Sequence, residues 1–159
     1  SSLIAKKISS VSILPVAAPS LISQWPQLSH PNDLAKMPAL VYANDRSPHD
    51  WRYVGPDGKA GSLNITPRMS ANNGDVLRDL AIAGLGIVSL PNFLHYEAIN
   101  KGLLQPLFPD YDWSGFDIFD VYPKTTILPK RTRVFVDFIS GLYGRSPYWE
   151  EIDQTALAG

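Results

Sequence analysis

One stretch constrains the fold more than any other: Ser70-Ala-Asn72-Asn73-Gly74-Asp75-Val-Leu-Arg78-Asp-Leu80-Ala-Ile-Ala-Gly84-Leu-Gly86-Ile-Val-Ser-Leu-Pro91. It reads as a cap, a helix and a buried strand in immediate succession. Asn72 and Asn73 offer side-chain oxygens to the free N–H groups of a first helical turn. Asp75 places a negative charge where the helix dipole favours one. Val76, Leu77, Leu80 and Ala81 then fall on one face at helical spacing. Gly84 supplies a left-handed stop. Leu85 to Leu90 is an apolar run closed by Pro91, as expected of a strand covered on both faces. A helix feeding a buried strand is half of an α/β crossover unit, and ligands in such folds sit at helix starts.

Composition matters mainly for what it excludes. At 159 residues the chain is long enough for one domain with a real core. A net charge of −1 argues against a nucleic-acid surface in this segment, because phosphate binding needs a basic face. Cysteine is absent, which rules out a disulfide framework, a thiolate nucleophile and a cysteine metal site. No apolar run approaches the roughly 18 residues of a membrane-spanning helix.

Along the chain, Ser1 to Ser10 is a short amphipathic opening, and Val11 to Ala17 is a β-branched strand. Pro19 and Ser20 begin a short helix through Gln24 with Ser20 as cap, and Asn32-Asp33 caps another ending near Met37. Ala39 to Ala43 is a strand. Trp51 to Val54 and Gly61 to Pro67 pair around the Gly55-Pro-Asp-Gly58 turn. Asn92 to Asn100 is a helix turning Phe93, Leu94 and Ile99 inward, and Leu103 to Phe108 is extended. Phe116 to Tyr122 alternates as a strand. Pro129 to Leu142 is an amphipathic helix with Val134, Phe135, Phe138, Ile139 and Leu142 on one stripe. Gly144 to Gly159 reads as a mobile tail.

Catalytic patterns are weak. His30, His49 and His95 show no metal-binding spacing, and Ser20, Ser70 and Ser89 lack a nucleophile elbow. Gly84-x-Gly86 follows a helix instead of preceding one, so it is no dinucleotide fingerprint. The carboxylates Asp110, Asp112, Asp117 and Asp120 have no calcium-loop spacing. No catalytic residue, metal or cofactor is expected. Binding is better supported. The helix start at Asn72-Asn73-Gly74 can present N–H groups and amides to a small anion, and Ser20 begins a second helix that could face the same cleft. The plain alternative is that these residues only cap helices.

The run from Asn72 to Pro91 resembles a signature of the effector-binding domain of LysR-type transcriptional regulators. The resemblance extends through Ser1-Ser-Leu-Ile-Ala-Lys-Lys-Ile8, Val16-Ala-Ala-Pro-Ser-Leu21, Asn32-Asp-Leu-Ala35 and Trp51-Arg-Tyr53. It closes with Phe116-Asp-Ile-Phe-Asp-Val-Tyr-Pro123 and Lys130 to Phe138. Order and spacing together carry it over nearly the whole chain.

The resemblance implies an α/β, periplasmic-binding-protein-like (type 2) fold, with two α/β lobes joined by two crossing strands near 11–17 and 116–122. The second lobe would be complete and the first partial. The division would be 1–16 for the remnant of lobe I and the first crossing strand, and 17–115 for lobe II. Residues 116–143 would hold the second crossing strand and a lobe I helix, with a tail over 144–159. The implied function is ligand sensing and oligomerisation in a bacterial, cytoplasmic regulator. A small-molecule effector, a carboxylate being one candidate class, would lie between the lobes against Ser20, Asn72, Asn73, Gly74, Tyr122 and Pro123. Val76, Leu80, Ile82 and Ala83 would form a dimer contact in a homodimer or homotetramer. DNA would be met only through an N-terminal helix-turn-helix domain absent from this chain, and no membrane is involved. The alternative is a transport-associated solute-binding fragment of the same fold. With lobe I partial, Phe135, Phe138 and Ile139 cannot be buried within it. Each such side chain left wet forgoes roughly 1.5–3 kcal/mol, so dimerisation, swapping or disorder is expected there.

Overall fold

Ser12 is the one residue between a two-stranded ribbon and the first strand of the main sheet. The computed structural model describes residues 3–123, 129–144 and 147–152. Before Ser12 lies β1 (Leu3–Val11), which pairs antiparallel with β9 (Phe116–Pro123) in a two-stranded ribbon. The pairing runs from Leu3 opposite Pro123 to Val11 opposite Phe116, with an irregularity between Lys7 and Ser9. Charges support the register: Lys6 lies opposite Asp120, and the Lys7 ammonium is 2.7 Å from the Asp117 carboxylate.

After Ser12 comes β2 (Ile13–Ala17), which enters a five-stranded sheet with β3 (Ala39–Tyr42), β6 (Pro67–Ala71), β7 (Ile87–Pro91) and β8 (Gln105–Pro106). The spatial order is β6-β3-β7-β2-β8, with β3 parallel to β6 and β7, and β2 antiparallel to β7 and β8. A hairpin of β4 (Asp50–Val54) and β5 (Ala60–Asn64) stands apart. Its turn takes Gly58 to φ 77°, where a side chain would be strained.

Helices α1 (Pro19–Ile22), α2 (Gly74–Ile82) and α3 (Tyr96–Asn100) accompany the sheet, and α4 (Lys130–Tyr143) lies against β1. One core gathers Leu14, Leu34, Val41, Ile87, Trp51, Tyr53 and Trp113, and the other gathers Val16, Leu40, Leu77, Ala81, Val88 and Leu90. β2, β3 and β7 each contribute to both, which is why their sequences are nearly continuous apolar runs.

The α2–β7 unit forms as its sequence predicts. Asn73 is the N-cap, and its side-chain oxygen accepts from the N–H groups of Asp75 (2.9 Å) and Val76 (3.2 Å). Gly84 adopts φ 77° and ends the helix. Leu77 and Ala81 are fully buried, Leu80 is half-buried, and Val76 is exposed.

Elsewhere the structure corrects the reading. The first strand of the ribbon is Leu3–Val11, not 11–17, and Ile13–Ala17 belongs to the five-stranded sheet. Leu3 to Ser10 is therefore strand, visible only through its partner more than 100 residues away. β6 is not foreseen as a strand, the hairpin reading reaching only Pro67, yet Pro67–Ala71 pairs with β3 at the sheet edge. Ser20 is not a cap: Ala18 occupies that position without a side-chain bond. The turn at Pro31–Lys36 is 3₁₀ and is capped by His30, whose Nδ1 accepts from the Asn32 N–H, with Asp33 reciprocating. Bonds from the Ser29 N–H, Lys36 and the His30 N–H hold the Asp33 carboxyl down to about 2. Phe93 is exposed, not inward, and the extended run near Leu103 shrinks to two strand residues.

The apolar stripe of α4 is largely uncovered. Val134, Phe135, Phe138 and Leu142 are 53–63% exposed, and no described residue of α4 is buried. Part of the expected tail is ordered: Tyr148–Glu150 forms a 3₁₀ turn with Trp149 only 6% exposed. Residues 145–146 and 153–159 of that tail lie outside the described residues.

Candidate functional site

Strand direction locates the site. β3, β6 and β7 are parallel, so Tyr42, Ala71 and Pro91 end at one side of the sheet, and antiparallel β2 starts there with Ile13 opposite Pro91. Ser12 and the ribbon depart from this same side. In open α/β sheets the carboxyl ends of parallel strands, where helix starts gather, are the usual ligand side.

Two cavities open here. The larger, of about 630 Å³, is walled by Ser10 to Leu14, Asn92, Pro109 to Trp113, Gly115 to Asp117, Glu150 and Ile152. The smaller, of about 310 Å³, shares Ile13 and Trp113 with it and adds Asp45, Ser47, Asp50, Arg52 and Ser89. Both volumes lie in the range of small-ligand pockets. Hydrophobic walls come from Ile13, Leu14 and Trp113, whose indole N–H donates to the Phe108 carbonyl at 3.1 Å. Polar groups come from Ser12, Asn92 and the carboxylates. Asn92 is 3% exposed, and its amide nitrogen donates to Glu150 at 3.0 Å. Arg52 Nε is 2.7 Å from the Asp50 carboxylate, so the smaller cavity holds a paired cation on its rim.

Behind Asn92, His95 is fully buried. Its Nε2 lies 2.9 Å from the Leu90 carbonyl, a contact that requires the Nε2–H tautomer. Burial pushes the imidazole down to about 4, against the bonds to the Leu90 and Leu14 backbone and the charge of Glu150, which favour the protonated form. A histidine so held is a neutral structural donor, not a general base working at neutral pH. His30 is spent as a cap and His49 is exposed in a loop. Among the described residues no group of three His, Cys, Asp or Glu side chains is placed to hold a metal ion.

The six residues named from sequence do not converge. Asn72, Asn73 and Gly74 follow β6 at the ligand side, where a Cβ added at Gly74 would stand 2.5 Å from Leu94 Cδ1, but none of the three lines either cavity. The Asn73 side-chain oxygen is committed to its cap. Ser20 lies at the opposite end of α2: a Cβ added at Gly84 would stand 3.2 Å from Ser20 Oγ. The expectation that Ser20 and Asn73 face one cleft is therefore corrected, because β2 runs antiparallel and carries its following helix to the far side. Tyr122 and Pro123 pair with Ile4 and Leu3 at the distal end of the ribbon. They stand about 20 Å along β9 from the strand's start at Phe116. Sequence reasoning missed Ser12, Asn92, Trp113 and Glu150. Only Asn92, following the strand-ending Pro91, carried a local signal. In α2, Val76 and Ala83 are exposed and Leu80 and Ile82 half-buried, so that face is available in part.

Comparison with known proteins is consistent throughout. The family model described as "LysR substrate binding domain" matches residues 1–142. The chain is 28% identical over 93% of its length to the HTH-type transcriptional regulator PtxR of Pseudomonas aeruginosa, covering 47% of that protein. It is 29% identical over 78% of its length to the HTH-type transcriptional regulator CrgA of Neisseria meningitidis, covering 41% of it. The chain thus spans about half the length of the curated relatives it matches. Among solved structures, the regulatory domain of AphB from Vibrio vulnificus treated with cumene hydroperoxide superposes with a TM-score of 0.76 at 30% identity, over 89% of this chain and 69% of that one. The CrgA regulatory domain gives 0.73 at 27%, over 91% and 70%. These neighbours have the periplasmic-binding-protein-like type 2 fold, and the relatives are transcription regulators, which weighs against the transport alternative. With the family model covering most of its length, the chain belongs to the LysR substrate-binding domain family.

Proposed function

We propose that this chain is the ligand-sensing and oligomerisation part of a bacterial, cytoplasmic LysR-type transcription regulator, acting on DNA through a helix-turn-helix domain outside it and performing no catalysis. The observation that carries this reading is the pair of cavities at the carboxyl ends of the parallel strands, beside the ribbon that leaves the lobe. A small-molecule effector, with a carboxylate as one class, would be held by Ser12, Asn92 and the apolar wall of Ile13 and Trp113, with Asn72 to Gly74 at the rim. Lobe II is read as 12–115, and α4 as part of a first lobe. Differential affinity for two ribbon arrangements would shift how a homodimer or homotetramer holds its DNA-binding heads. The contact between copies would use Val76, Leu80, Ile82 and Ala83 of α2. No helix among the described residues is long and apolar enough to cross a membrane.

The test is thermal unfolding of the chain against a panel of small carboxylates, amino acids and sugars. A ligand at about 100 times its Kd adds roughly 2.7 kcal/mol, which raises Tm by roughly 5–10 °C for a chain of this size. A rise that disappears in Asn92→Ala supports the reading. A clean transition that no compound moves counts against it.

A further inference from the structure

The segment Pro147–Ile152 returns from α4 to the joint between ribbon and lobe. Ser12 is the one residue between β1 and β2, and together with the Ser114–Gly115 link into β9 it forms the joint between ribbon and sheet. Its N–H donates to Glu150 Oε1 and its hydroxyl to Oε2, each at 3.0 Å. From the other side, Asn92 Nδ2 donates to Oε2 at 3.0 Å, while the Asn92 N–H donates to the Ser12 carbonyl at 3.0 Å. One carboxylate therefore ties the joint to the end of β7 through three charge-assisted bonds, the stronger kind.

Packing surrounds this pin on both sides. Trp149 is 6% exposed and stacks on Tyr143 of α4 with ring centres 5.3 Å apart, while its edge meets Phe93 of the lobe at 6.1 Å. Tyr148 meets Tyr96 of α3 at 5.3 Å, and Asn100 Nδ2 donates to the Glu151 carbonyl at 3.3 Å. The segment thus touches α4, the joint and the lobe together. α4 itself rests on β1, the strand that Ser12 anchors.

We propose that residues 147–152 are a strap that locks the hinge, with the Glu150 carboxylate as its pin. While the pin is made, ribbon, α4 and lobe hold one angle, and when it is broken the ribbon and α4 swing against the lobe. Glu150 is a positioning residue in this scheme, acting through Ser12. The pin draws on Ser12 and Asn92, which the proposed effector site also uses, but it concerns only contacts within the chain and its test needs no effector.

The chain has no cysteine, so a pair introduced as Asp79→Cys on α2 and Arg133→Cys on α4 can be spin-labelled uniquely and their distance distribution measured. The parent should give one narrow distance. Glu150→Gln should broaden or shift it and speed amide exchange at Ser12 by roughly tenfold or more, leaving exchange at buried Leu77 and Val88 unchanged. Glu151→Gln removes the same charge one residue away and should leave both readouts at the parent value. If Glu150→Gln does not fold, Ser12→Ala, which deletes one donor from the opposite side, should broaden the distance in its place. An unchanged distribution in a folded pin variant, or equal broadening by Glu151→Gln, overturns the proposal.

Discussion

His95 gives the domain a defined acid sensitivity. The unfolded chain takes up a proton near 6.5, whereas in the fold burial delays protonation until about 4. Because the folded value is the lower one, the unfolded state binds more protons between these limits. Stability is therefore complete above about pH 6.5, falls as pH drops through the window, and levels off below about 4. The full separation amounts to about 3 kcal/mol, of which about 2 kcal/mol is lost by pH 5. His95→Gln keeps an amide donor for the Leu90 carbonyl but does not titrate. Urea unfolding of parent and variant from pH 7.5 to 4.5 should show the parent losing about 2 kcal/mol more than the variant by pH 5. Parallel losses in the two proteins would refute the reasoning. So would a His95 ring resonance titrating with a midpoint near 6.5.

The remaining predictions concern α2 and its surroundings. Asn73→Ala removes the acceptor for two N–H groups and should cost about 1 kcal/mol, while Asn73→Asp should melt within a degree or so of the parent. Leu77→Ala, at a fully buried position beneath the sheet, should cost about 2–5 kcal/mol in denaturant unfolding. Gly84→Ala forces a side chain to φ 77° with Cβ 3.2 Å from Ser20 Oγ, and should cost about 1–2 kcal/mol. Val76→Asp on the exposed side of α2 should shift sedimentation from oligomer toward monomer while the circular-dichroism spectrum stays that of the parent. A monomeric parent would remove that face as a contact between copies.

How much the sequence disclosed follows from how local each signal is. The cap, helix, glycine stop and strand of 73–91 rest on neighbours within a few residues, so they could be read directly. β1 could not: Lys6 and Lys7 disguise a strand that exists because β9 lies beside it. β6 carries Pro67 and a polar Ser70, tolerable at the sheet edge that only the topology reveals. The site was hidden for the same reason. Ser12 meets Glu150 across 138 residues, and the direction of β2, which separates Ser20 from Asn73, is set by pairing with β7. In the tail only Tyr148-Trp149 stands out locally, because the order of 147–150 comes from the aromatic partners Phe93, Tyr96 and Tyr143.

The central claim is that effector recognition occurs where the parallel strands end beside the hinge. The measurement that tests it most directly is a two-dimensional amide NMR spectrum of the 159-residue chain titrated with the compound giving the largest thermal shift. The account predicts that the strongest perturbations fall on the Ser12 and Ile13 amides, the Asn92 side chain and the Trp113 indole. Perturbations centred instead on Ser20, or on the groove between Arg78 and Glu97, would contradict it.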